Sequence, residues 1–447
     1  MRLTVIGCGY LGAVHAAAMA HLGHDVLGID TDPHRASTLA RGEAPFYEPG
    51  LPELLAPGAA DHRLRFTAEP TTEDLALADV HFIAVGTPQS AHGGGADLSQ
   101  VFSAVDLLLE HLPEGGSPLV VGKSTVPVGT AREVARRLAG RAHVVWNPEF
   151  LREGLAVKDT LHPDRIVYGL PDDPDQARAA CQSLDTVYAE LLAEGIPRIT
   201  MDYATAELVK TAANSFLATK ISFINAMSAM CEAAGADVTV LAQALGHDQR
   251  IGHRFLQAGV GFGGGCLPKD IRALRASAVS MGVDALADLL AQVDAINQAQ
   301  REHIVELAVQ HAQGGPEGVK GMEGMEGMAV TILGAAFKPN SDDRRDSPAL
   351  DVADRLAQLG ATVTICDPKA LDGVAQSHPG LLPQVDVEEA LKGAELVLLL
   401  TEWQQFVELD PARAAELVAR PIIIDGRNAL DPQAWRAAGW SYTGMGR

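Results

Sequence analysis

The sequence predicts an α/β fold in which two doubly wound domains are joined by a central helical domain, and three observations predict it. Over residues 1–201 short β-branched runs alternate with helical stretches; over 202–311 the alternation stops and long Ala/Leu-rich segments take over; from 329 to 447 it returns. Alternating β and α elements give a parallel sheet with helices on both faces. A chain of 447 residues also exceeds what one hydrophobic core usually organises, so several domains are expected.

In the first domain the strand-type runs are LTVIG, DVLGID, VHFIAVG, PLVVGKS, HVVWNPEF, DRIVYG and RIT. In the middle, ATAELVKTAANSFLATKISFINAMSAMCEAAG reads at helical period with no strand break. A long apolar helical segment between two sheets is a natural spacer and a natural dimer interface. Residues 312–328 hold GGPEGVKGMEGMEGM, a repeated Gly-Met-Glu unit without a consistent hydrophobic period, which reads as a flexible linker. Beyond it AVTILG, TVTICD, AELVLLLT and PIIIDG, separated by helical patterns such as SPALDVADRLAQLG, build the second α/β domain over 329–447.

A formal charge of −22 argues against nucleic acid or an anionic membrane as partner, since both reward a basic face. An anionic small substrate would need a local Lys/Arg cluster. The chain enters a strand at once with MRLTVIG, and neither a signal-type segment nor a long uncharged run is seen, so a cytoplasmic protein is expected. The five cysteines are scattered, with no CxxC or Cys/His spacing, so thiols are expected and no metal.

Four motifs carry chemistry. VIGCGYLG sets Gly7, Gly9 and Gly12 in a GxGxxG turn between the first strand and a helix of small residues. There a pyrophosphate meets backbone amides and the positive end of a helix, the signature of a Rossmann-like domain. Asp30 ends the next strand, where a carboxylate binds ribose hydroxyls, and Asp32 repels a 2′-phosphate; NAD is favoured over NADP, with Arg35 as the opposing feature. In GVGFGGGCLPKD, Cys266 follows a Gly-rich loop and precedes Lys269 and Asp270. Thiol addition to an aldehyde makes a thiohemiacetal able to lose hydride, leaving a thioester for water to cleave, and a nearby lysine favours the thiolate. The same residues also fit a small cysteine packed under a glycine loop. In ELVKTAANSF, Lys210 and Asn214 share a helix face, suited either to stabilising an oxyanion or to facing solvent. In WNPEFLREG, Glu149 and Glu153 lie at a strand end, either as a base for a hydrolytic water or as structural glutamates.

Together VIGCGYLG, GTP at 86–88, STVPVGT, NPEFLREG, ELVKTAANSF, GFGGGCLPKD, AFKPNSDDRRDSP and DGRN resemble, in order and nearly end to end, the UDP-glucose/GDP-mannose dehydrogenase family. NPEFLREG with PDRIVYG, and DQRIGHRFLQAGVGFGGG, are more similar to the branch acting on UDP-glucose than to the GDP-mannose branch. The resemblance implies two Rossmann-like domains, NAD as cofactor, and two successive oxidations at C6 of a nucleotide-sugar through a thioester on Cys266. It implies that Lys210, Asn214 and Asp270 hold the C6 oxygen and a water, with Thr125 nearby, and that Glu149 is the acid/base of thioester hydrolysis. Gly7, Gly9, Tyr10, Leu11, Gly12, Asp30, Arg35, Thr87, Thr125, Glu153, Lys269 and Arg345 would line the dinucleotide. Glu149, Phe150, Leu151, Arg152, Glu153, Lys210, Asn214, Phe255, Leu256, Gln257, Ala258, Gly259, Gly263, Phe337, Lys338 and Arg427 would line the sugar nucleotide. Arg250 would reach it from the neighbouring subunit of a homodimer, and Lys338, Arg427 and Arg250 would supply the cations a diphosphate needs.

The departures are Gly265 and Leu267, where relatives carry serine and phenylalanine, which loosens packing beside Cys266, and GAAF in place of a GxGxxG turn in the second sheet. The latter suits a nucleotide-sugar better than a second dinucleotide. The base, uracil or thymine, stays open, and dTDP-glucose and GDP-mannose remain alternative substrates. A single-step hydroxyacid dehydrogenase and a non-catalytic nucleotide-sugar sensor are the rivals that need no nucleophilic cysteine.

Overall fold

The computed structural model describes residues 1–90, 94–312 and 325–447. They divide into two compact units, Met1–Ala213 with Arg272–Gly282, and Asn214–Ile271 with Val283–Arg447.

The first unit is built on an eight-stranded sheet: β1 (Arg2–Ile6), β2 (Asp25–Ile29), β3 (Leu64–Thr67), β4 (Val80–Ile83), β5 (Leu119–Gly122), β6 (His143–Trp146), β7 (Ile166–Leu170) and β8 (Arg198–Asp202). Their spatial order is β3-β2-β1-β4-β5-β6-β7-β8, so chain direction across the sheet reverses between β1 and β4. Such a switch point opens a crevice at the carboxyl ends of the strands. Both faces of β4 and β5 are buried, as a parallel sheet covered by helices requires. The expected doubly wound sheet is present, with two differences. β3 was not legible because LRFT is a short edge strand with only Leu64 fully buried. β7 runs antiparallel to β6 through the single pair Trp146 and Gly169, while every other pairing in the sheet is parallel.

The second unit carries a six-stranded, wholly parallel sheet: β9 (Ala329–Leu333), β10 (Thr362–Cys366), β11 (Leu381–Gln384), β12 (Leu396–Leu399), β13 (Ile422–Asp425) and β14 (Ser441–Gly444), in the order β11-β10-β9-β12-β13-β14. The edge strands β11 and β14 escaped the sequence reading because LLPQ and SYTG lack a buried apolar run, and Pro383 is tolerated only because β11 is an edge.

The helical middle consists of Tyr203–Ala234, Val238–Gly246, Leu267–Ser280 and Asp284–Ala312. The helix Tyr203–Ala234 starts in the first unit and continues into the second. The last turns of Asp284–Ala312 give Ile304, Val305, Ala308 and Val309 to the core of the second sheet. Ala312, placed in the linker, ends helix Asp284–Ala312, and positions 313–324 of the tract read as a linker lie outside the described residues. Its last residues are described, and Met325 and Met328 are buried in that same core.

Candidate active site

In the first unit the GxGxxG turn has the geometry that a dinucleotide requires. Gly7 sits at φ 89°, open to glycine, and a Cβ on Gly12 would lie 1.8 Å from the Gly7 carbonyl oxygen. A Cβ on Gly9 would meet nothing within 4 Å, so open space lies before the start of helix Tyr10–His21. Asp30 follows β2 and is buried; its carboxylate accepts from the Cys8 and Asp32 amides, both at 2.9 Å, which fixes its orientation. Arg35 pairs with Asp30 at 3.2 Å and with Asp32 at 3.8 Å. Arg35, a cation that would welcome a 2′-phosphate, is therefore matched by two carboxylates, which favours NAD. These residues fit the cofactor, and Gly7, Gly9, Gly12 and Asp30 would hold it. Thr87 donates to the Thr125 carbonyl at 2.8 Å, linking two candidate cofactor residues.

Glu149 lies just beyond β6 and is paired at 3.0 Å with Lys210, whose side chain is only 5% exposed. This removes the solvent-facing reading of Lys210. Phe150 lies under two cations, with Lys210 5.7 Å and Arg165 3.8 Å from its ring centroid. Arg152 is turned to Asp159 in a bidentate pair, with Nε at 2.9 Å and Nη2 at 2.6 Å. The loop carrying Glu153 is held from below by Glu48, a buried carboxylate with no sequence signal. Glu48 accepts from the Gly154 and Ala156 amides at 2.7 Å and from the Tyr10 hydroxyl. Glu207 likewise accepts from the amides of Gly129 at 2.7 Å and Ala131 at 2.6 Å, fixing the turn that follows STVPVGT.

In the second unit Cys266 is exposed and directly precedes helix Leu267–Ser280, whereas Cys8, Cys231 and Cys366 are buried. The packing role is thereby excluded. Asp270 is 1% exposed and gathers Asn214 Nδ2 at 2.6 Å and Lys269 Nζ at 2.7 Å, so Asn214 is part of a buried polar cluster. The glycine loop before Cys266 is tight for a reason. A Cβ on Gly263 would lie 2.2 Å from the Asp346 carbonyl oxygen, and one on Gly264 would lie 2.8 Å from the Phe337 ring. Gly265, expected to loosen packing, does not leave a void: a Cβ there would lie 2.3 Å from the guanidinium carbon of Arg345, which itself pairs with Asp343 at 2.8 Å.

The remaining candidates are placed unevenly. Phe255 holds a left-handed φ of 64°, a strained conformation for a bulky residue. Leu256 and Ala258, expected to line the sugar nucleotide, turn their side chains into a buried cluster with Ile224, Cys231 and Val238. Gly259 donates to Asn225 Oδ1 at 2.9 Å. Arg427 spends its guanidinium on the carbonyls of Leu400, Gly261 and Phe337 at 2.7, 3.1 and 3.1 Å, so it stitches these segments together as well as bringing charge. Lys338 lies 5.3 Å from the Phe337 ring centroid. Arg250 is exposed and pairs with Asp248 at 2.6 Å.

At the end of β10, Asp367 occupies the position that Asp30 holds after β2, but it is spent internally. It accepts from the amides of Ala335, Ala336, Lys369 and Ala370 at 2.8, 3.0, 2.9 and 2.8 Å and from Trp403 Nε1 at 3.0 Å. Five donors saturate one carboxylate, and the degenerate GAAF turn is thereby fixed. Asp367→Ala leaves buried donors unmatched, and denaturant unfolding is expected to register a loss of about 3 kcal/mol or more. A loss under about 1 kcal/mol would show that the turn repairs itself.

Two sheets of this order, the first with a dinucleotide turn and the second with that turn closed by its own aspartate, define the class of NAD-binding dehydrogenases with a separate substrate-binding domain. The chain belongs to the UDP-glucose/GDP-mannose dehydrogenase family. That family's NAD binding domain matches residues 1–192, its central domain 204–299 and its UDP binding domain 331–432. The chain is 40% identical to a UDP-glucose 6-dehydrogenase of Bacillus subtilis (strain 168), covering all of this chain and 98% of that one. It is 39% identical to a UDP-glucose 6-dehydrogenase of Rhizobium meliloti (strain 1021), covering both fully. The solved UDP-glucose dehydrogenase of the hyperthermophilic archaeon Pyrobaculum islandicum superposes with a TM-score of 0.88 at 36% identity, covering all of this chain and 97% of that one. No helix among the described residues is long and apolar enough to cross a membrane.

Proposed function

We propose that this protein oxidises UDP-glucose at C6 to UDP-glucuronate in two NAD-dependent steps, with Cys266 as nucleophile. The observation that carries this reading is the exposed thiol at the head of helix Leu267–Ser280, four residues before the buried Asp270 that binds Asn214 and Lys269, in a chain similar over its whole length to UDP-glucose 6-dehydrogenases. NAD, held by Gly7, Gly9, Gly12 and Asp30, would supply the hydride acceptor for both oxidations. Cys266 Sγ adds to the aldehyde carbon formed in the first, giving a thiohemiacetal whose oxidation leaves a thioester. Lys210 and Asn214 stabilise the C6 oxygen as it gains charge, and Asp270 fixes the Asn214 amide. Glu149 takes a proton from the water that attacks the thioester; the C–S bond breaks and the Cys266 thiolate leaves. Thr125 lies close to this chemistry in the proposed reading.

The cofactor set is the one given above, with Tyr10, Leu11, Glu153, Lys269 and Arg345 completing it. The sugar-nucleotide set extends from Phe150 to Arg152 and from Phe255 to Gly263, with Phe337, Lys338 and Arg427. The domain division is 1–201, 202–311 and 329–447, and the protein acts in the cytoplasm. Phe216, Phe223 and Met230 are exposed at seven-residue spacing along helix Tyr203–Ala234, which supports a homodimer through that helix with Arg250 serving the neighbouring site. Turnover on a panel of UDP-, dTDP- and GDP-sugars tests the substrate assignment. UDP-glucose is expected to give the highest kcat/KM; equal or better turnover of dTDP-glucose or GDP-mannose would overturn it.

A further inference from the structure

Behind Glu149 lies a second buried lysine that the chemistry above does not use. Lys123, the residue after β5, is 6% exposed. Its Nζ donates to Asn147 Oδ1 at 2.9 Å and stands 3.4 Å from the Tyr188 hydroxyl. The same Asn147 oxygen accepts from Tyr188 OH at 2.8 Å, and Asn147 Nδ2 donates to the Val167 carbonyl of β7 at 2.8 Å. The Asn147 amide is thus clamped from three sides, with its oxygen toward the Lys123 ammonium and the Tyr188 hydroxyl and its nitrogen toward the Val167 carbonyl. Asn147 is the first residue beyond β6 and stands two before Glu149, so the clamp sets how the chain leaves the strand. Lys123, Asn147 and Glu149 also line one cavity of about 80 Å³ with His15 and Tyr188.

We propose that Lys123 is a positioning residue for Glu149: its ammonium fixes the Asn147 turn and supplies a second cation behind the carboxylate already paired with Lys210. This rests on the reading of Glu149 as the base of thioester hydrolysis. An ordinary buried lysine with no such role would be a costly choice for this sheet, since an ammonium out of water is retained only where partners hold it. Burial pushes the Lys123 ammonium down to about 8, Glu149 acts to hold it charged, and Lys210 opposes that. The other groups facing it are the Tyr188 hydroxyl and His15 of helix Tyr10–His21, which burial keeps neutral. Arg152, Asp159, Asp164 and Arg165 also line the cavity. As pH rises through about 8 Lys123 loses its proton, the cation behind Glu149 disappears, and hydrolysis slows.

The test compares Lys123→Met and Lys123→Arg with the wild-type protein. Lys123→Met is expected to lower kcat at least about tenfold, with acyl-enzyme accumulating and KM for UDP-glucose falling in step, so that kcat/KM stays within about twofold. Lys123→Arg is expected to retain turnover and to move the alkaline limb of the kcat–pH profile up by about one unit or more, because a guanidinium keeps its proton there. A purely structural lysine would not move that limb. Coincident alkaline limbs for wild type and Lys123→Arg, or full turnover by Lys123→Met, would overturn the proposal; should Lys123→Met not fold, the arginine variant decides alone. A substrate-free titration of the protein labelled at lysine Nζ, with the Lys123 signal assigned by its loss in Lys123→Arg, is expected to show a midpoint near 8, and one at about 10 would refute the account without any turnover. Wild-type protein that makes no NADH from UDP-glucose would instead sink the reading of the reaction, so the two failures are distinct.

Discussion

Cys266→Ala is expected to lower formation of the acid by about 10³-fold or more, leaving at most the NADH of the first oxidation. The reason is electronic. A C6 aldehyde has no hydride to give on the way to the acid until a nucleophile has added to its carbon, and the exposed Cys266 thiol is the nucleophile the loop presents. The Gly263–Gly265 backbone is packed against Asp346, Phe337 and Arg345, so the loop is held in one shape and loss of the thiol is not compensated by rearrangement. Since the Cys266 side chain is exposed, the alanine variant is expected to keep wild-type thermal stability, which separates chemistry from folding. Retention of more than about a tenth of wild-type turnover to the acid would contradict the covalent route.

Lys210→Met combines two losses. Lys210 and Glu149 form an ion pair at 3.0 Å with side-chain exposures of 5% and 13%, and removing Lys210 leaves Glu149 without its paired cation, with the Leu151 amide still donating to it. A cost of about 3 kcal/mol is expected, read as a shift of the urea midpoint. Loss of a cation placed against a developing oxyanion is expected to lower kcat by a further factor of about 10² to 10³. The methionine preserves volume, so packing is not the variable. An unshifted midpoint would show that Glu149 finds another partner. An unchanged kcat would show that the ammonium does not face the reacting oxygen.

The fold was legible wherever a period was long enough to read. Central strands such as VHFIAVG and PIIIDG are continuous apolar runs because both faces are covered, whereas β3, β11 and β14 are short edges whose side chains are partly solvated. The reversal of β7 left no trace, since a period of two is the same in either direction. Of the candidate site, the residues inside Gly-rich or Asn-Pro motifs carried a sequence signal, because glycine and proline at a strand end mark backbone that must approach something. Glu48, Asp367 and Glu207 were missed: each is a buried carboxylate that matters only through amides distant in sequence, and spacing carries no record of such pairs. Lys123 had a signal that went unread, a charged residue at the end of the buried run PLVVGKS. The burial of Lys210 and Asn214 could not be read from a helix of Ala and Leu, where a lysine usually faces water.

The central claim is that one chain carries C6 from alcohol to acid, and it is tested most directly by counting NADH formed per UDP-glucose consumed at completion. The account predicts two, with UDP-glucuronate as the only sugar product. One NADH per sugar with a free C6 aldehyde, or consumption of sugar without NADH, would contradict it.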